Sequence, residues 1–143
     1  METILERLLA DFNRELPGSE TAIRAVEGRL GVTFPEAYVA FLKLTDGGHG
    51  FFGAEKHYAI FFSVAEVAER RTETEPDLPG ALFFGSNGGG EGFAFDTRVA
   101  DLPVVQAPWI GMEWDVAIPV GDSFIEFLEE ITSAGEDWPF DKA

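Results

Sequence analysis

The sequence predicts an α+β fold: one domain over residues 1–143, a twisted, mainly antiparallel sheet with N-terminal helices and a C-terminal helix packed on it. Three observations carry that expectation. Apolar residues recur at helical spacing through the first 45 positions. Short aromatic and β-branched runs, punctuated by glycine and proline, follow from about residue 58 to residue 118. A capped amphipathic segment then opens at Ser123. Helices first, strands next and a helix last argue against a regular βαβ repeat.

Taken in order, Ile4, Leu5, Leu8, Leu9 and Phe12 share one helical face, which predicts a helix from Thr3 to about Glu15, ended by Pro17-Gly18. Ser19 caps a second helix with Ile23, Val26 and Leu30 inward and Gly31 as its stop. Val32-Thr33-Phe34 is a short extended piece. Pro35 suits the first turn of a third helix, which carries Tyr38, Phe41 and Leu42 and breaks at Asp46-Gly47-Gly48. Tyr58 to Phe62 reads as a buried strand, and Ser63-Val-Ala-Glu66 as a capping box opening a helix to about Thr72. Leu82-Phe83-Phe84 and Phe93-Ala94-Phe95 are strands flanking the glycine-rich stretch 85–92. Val104-Val105 and Val116 to Ile118 are further strand candidates. A second capping box, Ser123 to Glu126, opens the last helix, with Phe124, Phe127, Leu128 and Ile131 inward and Gly135 as its stop.

A chain of 143 residues fits one domain and buries roughly 68–70% of its unfolded surface. The absence of cysteine excludes disulfides, thiolate metal sites and cysteine nucleophiles. Glu2, Glu6 and Arg7 interrupt any secretory h-region, and no apolar run approaches the ~18 residues of a membrane span. The expectation is a cytoplasmic protein. An apolar content of 45% with 13% aromatics is too high for a disordered chain.

The net charge of −16 bears most on function. Such a chain repels phosphate backbones and anionic membranes, and attracts basic partners. The charge is uneven. Residues 1–100 carry sixteen acids and nine bases, net −7, whereas residues 101–143 carry ten acids and only Lys142, net −9. Solubility and an acidic docking face are both open readings.

Catalytic and cofactor signatures are not matched. The glycine-rich stretch Gly85 to Gly92 lacks the lysine of a phosphate-binding loop and the spacing of a dinucleotide fingerprint, and Glu91 would repel an anion; it reads as a hairpin loop. Ser86 lacks the glycine two positions earlier that a nucleophile elbow needs, because Phe84 stands there. His49 and His57 have no metal-ligand spacing and read as surface histidines. Asp96 is the most enzyme-like carboxylate, yet a strand-end aspartate usually bonds the next turn, here Thr97-Arg98. Trp109, Trp114 and Trp138 lie in the acidic last third, where interface anchor and core residue are equal readings. Trp138 and Phe140 are expected to pack back onto the domain.

Four stretches, in order, resemble the SUKH superfamily, which includes fungal Smi/Knr cell-wall regulators and bacterial immunity proteins. They are Glu27-x-x-Leu30-Gly31; Phe34 to Leu42 closing at Asp46-Gly47-Gly48; Gly88 to Asp96; and Ser123 to Leu128. Phe34 replaces the family's usual leucine and Asp46 its usual asparagine, and both are mild departures. The resemblance spans roughly residues 19–133. It implies a non-enzymatic binding module without cofactor or metal, either an immunity protein for a cognate toxin or a regulatory scaffold with an endogenous partner. Joined to the acidity, it points to a basic, nucleic-acid-targeting toxin as partner. The candidate contacts are Trp109, Glu113, Trp114, Asp115, Glu129, Glu130, Glu136 and Asp137.

Overall fold

The computed structural model describes residues 2–139. Helix α1 (Glu2–Leu8) leads into strand β1 (Phe12–Arg14), helices α2 (Glu20–Leu30) and α3 (Glu36–Leu44), and strands β2 (Gly48–Phe52) and β3 (His57–Phe61). Helix α4 (Val64–Thr74) separates these from β4 (Ala81–Ser86), β5 (Glu91–Asp96) and β6 (Val104–Pro108). A 3-10 turn (Trp114–Val116), β7 (Ile118–Gly121) and α5 (Phe124–Ser133) complete the order. The seven strands form one antiparallel sheet in chain order, so β1 and β7 are its edges. The expected α+β architecture is what forms.

The helix boundaries follow from their caps. Ser19 Oγ accepts the Ala22 amide, and Gly31 ends α2 at φ +68°, its amide donating to Glu27 O. At α4 both arms of the capping box are in place: Ser63 Oγ accepts from Glu66, and the Glu66 carboxylate accepts the Ser63 amide. The serine arm of the second box opens α5, where the Glu126 amide donates to Ser123 Oγ.

The expected long first helix does not form, and a strand pair takes the place of its second half. The first helix stops at Leu8, and Phe12–Arg14 pairs with Gly48–Gly50 as β1 and β2. Phe12 is an apolar residue that either a helix face or a strand can bury. Its ring lies among Phe41, Phe52 and Phe61, with centroids 6.1, 6.0 and 5.7 Å away. Gly48 and Gly50 make that possible, because a Cβ on either would stand within 2.7 Å of Phe12 atoms. The glycines thus admit a neighbouring strand in a stretch for which the sequence predicted no element. The last strand candidate shifts as well: Trp114–Val116 is a 3-10 turn, and β7 begins only at Ile118.

Strand alternation sorts the sheet into two faces. On the helix face, Phe61, Phe84, Phe93 and Phe95 meet Tyr38 and Phe41 of α3 and Phe124 and Phe127 of α5. Phe61 and Phe84 stack 5.9 Å apart, and Phe84 and Phe95 lie 4.5 Å apart. Within this aromatic core Tyr38 Oη is buried without a hydrogen-bond partner. Burial, and secondly the Asp46 charge, push its acidity far above the ordinary tyrosine range. The opposite, outer face carries Phe62 and Phe83 beside α4, and Tyr58 and Ile60 on β3. All residues of β4 are buried, so β4 is covered on both faces. Along β2 and β3 the outer face stays open, leaving Phe51 45% exposed.

Candidate functional site

The segment between β6 and β7 holds four of the eight expected contact residues. The Trp109 amide donates to Gly90 O, and the indole rests on Phe83 at 4.8 Å, above Gly92, where no Cβ would fit. Arg70 reaches across from α4, its guanidinium 4.4 Å from the Phe62 ring and 5.7 Å from Trp109. Trp114 Nε1 donates to Pro79 O at 3.0 Å, and Arg98 lies 3.5 Å over the Trp114 ring. Asp96 holds that arginine in a fork of 3.0 and 3.1 Å and accepts its backbone amide, which is the turn role expected of Asp96. The bond to Asp96 raises the Arg98 pKa above its ordinary value. Trp109 and Trp114 are therefore half-buried covers of the outer face, with Glu113 and Asp115 exposed beside them.

The other four residues belong to α5 and the turn after it. Glu129, Glu136 and Asp137 are exposed and Glu130 is half-buried, while Phe127, Leu128 and Ile131 face the core. Trp138 packs back as expected, with its ring near His57, Phe93 and Phe127. Phe140 lies outside the described residues. The eight residues thus form two groups, one covering the outer face and one on α5 of the helix face, and the structure does not gather them into one patch.

Charge pairing differs sharply along the chain. The ion pairs between described residues all fall between residues 6 and 98: Arg14–Glu6, Arg24 with Glu20, Glu27 and Glu36, Lys43–Glu20, Arg71–Glu75 and Arg98–Asp96. Hydrogen bonds from Arg14 and Lys43 hold the Glu6 and Glu20 carboxyls below their usual pKa. Glu113, Asp115, Glu129, Glu136 and Asp137 enter none of these pairs. Their charge faces solvent.

The glycine-rich loop closes the β4–β5 hairpin. Three of its backbone donors are taken: Gly88 donates to Ser86 Oγ, and Gly89 and Glu91 to Asn87 Oδ1. An anion would have to displace those bonds. His49 Nδ1 lies 3.2 Å from Tyr58 Oη, and His57 Nε2–H donates to Gly135 O at 2.9 Å. Among the described residues no three His, Asp or Glu side chains are grouped to hold a metal ion, and no helix is long and apolar enough to cross a membrane.

Sequence reasoning missed a hollow of about 550 Å³ on the helix face, beyond the end of α5. Lys56 on the β2–β3 turn, Asn87 and Glu91 on the glycine hairpin, Gln106 of β6, Ile118 of β7 and Trp138 line it. These residues span 83 positions of sequence, and only the sheet register brings them together. The one available signal was Gln106, a polar residue set among Val104, Val105 and Ala107 in a strand otherwise apolar.

No curated protein matches the chain closely enough to serve as a relative. Residues 17–130 match the family model described as SMI1 / KNR4 family (SUKH-1). That span runs from the approach to α2 into α5, and so takes in β2 to β7 and both tryptophans of the β6–β7 segment. The chain belongs to the SMI1/KNR4 family (SUKH-1).

Proposed function

We propose that this chain is a non-catalytic protein-binding module that neutralises a toxin domain with a basic, nucleic-acid-directed surface. Membership of the SMI1/KNR4 family fits a toxin-immunity or a regulatory module. The observation that favours the first is the solvent-facing acidity after residue 100. Glu113, Asp115, Glu129, Glu136 and Asp137 spend none of their charge on the ion pairs that occupy residues 6–98. Carboxylates left in water raise the encounter rate with a basic partner and compete with its polyanionic ligand. Trp109 and Trp114, half-buried and held by Arg70 and Arg98, are rigid enough to serve as anchors beside that charge.

The test is a growth assay with the C-terminal domain of the protein encoded beside this one, expressed alone and together with this chain. Toxicity that co-expression relieves supports the reading. Toxicity that persists, or a harmless neighbour, counts against that pairing and favours the regulatory module. With a partner in hand, Glu129→Lys, Glu136→Lys and Asp137→Lys combined should slow association at low salt by about tenfold or more and flatten its salt dependence. Unchanged kinetics in stopped-flow would remove the acidic face from the account.

A further inference from the structure

We propose that the hollow beyond the end of α5 is a receptor for a guanidinium group, the anchor point for an arginine side chain of a basic partner. The proposal rests on the reading of the partner as basic, and it names the residue type and the place of contact.

The lining of the hollow combines polar, charged and aromatic side chains. Gln106 is only 5% exposed, and it lines the hollow. Register places Gln106 directly opposite Phe93, whose ring faces Phe127 and Trp138, so the amide points to the same side. An amide on the wall of a hollow is available to a group that enters it, with both a donor and an acceptor to offer. Glu91 stands on the same face of the neighbouring strand, diagonal to Gln106. Such neighbours lie about 7–8 Å apart, a gap that a guanidinium fork can bridge.

The chemistry of the lining selects the group. The Glu91 carboxylate is half-buried, is anchored by Asn87 Nδ2 at 2.6 Å, and enters no ion pair among the described residues. It can accept the paired donors of a guanidinium, while Gln106 Oε1 accepts a further N–H. Trp138 offers an aromatic wall on which a planar cation stacks. The volume, about 550 Å³, lies within the range of small-ligand pockets, roughly 300–1,000 Å³. Charge complementarity with a chain of net −16 favours a cationic occupant. Lys56 is the opposing charge in the lining and should limit affinity.

The experiment is an NMR titration of the full chain with N-acetyl-argininamide, and with its neutral isostere N-acetyl-citrullinamide. The readouts are the Gln106 side-chain amide and the Trp138 indole N–H resonances. The expected result is a saturable shift of both with the arginine probe, at least tenfold weaker with the citrulline probe. Glu91→Gln and Gln106→Leu should each weaken it at least tenfold, and Lys56→Ala should tighten it two- to threefold, with the remaining spectrum unchanged. Equal binding of the two probes, indifference to Glu91→Gln, or shifts confined to the acidic residues of α5 would overturn the site. Because the probe is a free amino-acid derivative, the outcomes separate. A positive titration with a failed growth assay keeps the site and discards the toxin reading, and a negative titration discards the site whatever the growth assay gives.

Discussion

The two faces of the sheet are built to different standards. On the helix face, Phe61, Phe84, Phe93 and Phe95 interlock with Tyr38, Phe41, Phe124 and Phe127, and none of these is more than 3% exposed. On the outer face the cover is partial. Arg70 lies against Phe62 and Trp109, and Trp109 against Phe83, along one half, while Phe51 on the β2–β3 side is left to water. The difference shows where stability is concentrated and where surface is free for other uses. One face is packed throughout, and the other is covered along one half only.

That contrast can be broken first at its strong end. Phe124→Ala removes a ring that contacts Tyr38, Phe41, Phe61, Phe84 and Phe95, and should cost about 3–5 kcal/mol in urea unfolding. A loss under 1 kcal/mol would mean that the aromatic core is loosely packed. Gly92→Ala measures the covered half of the outer face. Its new Cβ would strike the Trp109 and Phe83 rings, so overpacking should cost about 1–3 kcal/mol and shift Trp109 fluorescence. A neutral result would show that the Trp109 cover lifts freely.

Tyr38→Phe sharpens the comparison with the opposite sign. The hydroxyl it deletes is buried and unpaired, so the variant should gain about 1 kcal/mol rather than lose stability. Destabilisation in the same urea assay would show that the hydroxyl does have a partner. Phe51→Ala, on the open side, should stay within about 0.5 kcal/mol of the parent in thermal melts. A larger loss would mean that the open side carries structure after all.

Helices α2 to α5 were legible because each has a chemical start signal: Ser19, Pro35, Ser63 and Ser123. Strands β4 and β5 were legible from Leu82-Phe83-Phe84 and Phe93-Ala94-Phe95. Strand β2 was not, because Gly48-His49-Gly50 has the composition of a loop and becomes a strand only when Phe12 needs the space. The acidity of the last third was plain as a count, since counting ignores position. Its division between the β6–β7 segment and α5 was hidden, because strand register and helix phase decide it. The hollow was hidden for a related reason: Gln106 acquires meaning only beside Glu91 and Trp138, which tertiary packing supplies.

The edges of the sheet carry a last consequence. β1 has three residues, and β7 has four, one of them Pro119, which has no amide hydrogen to offer. A long open edge would invite a neighbouring chain to add a strand by main-chain pairing, the common route to aggregation. Blunted at both ends, the described sheet offers little template for such growth. The same bluntness restricts how a partner can be recognised. Strand addition is disfavoured, so specificity has to be written in side chains.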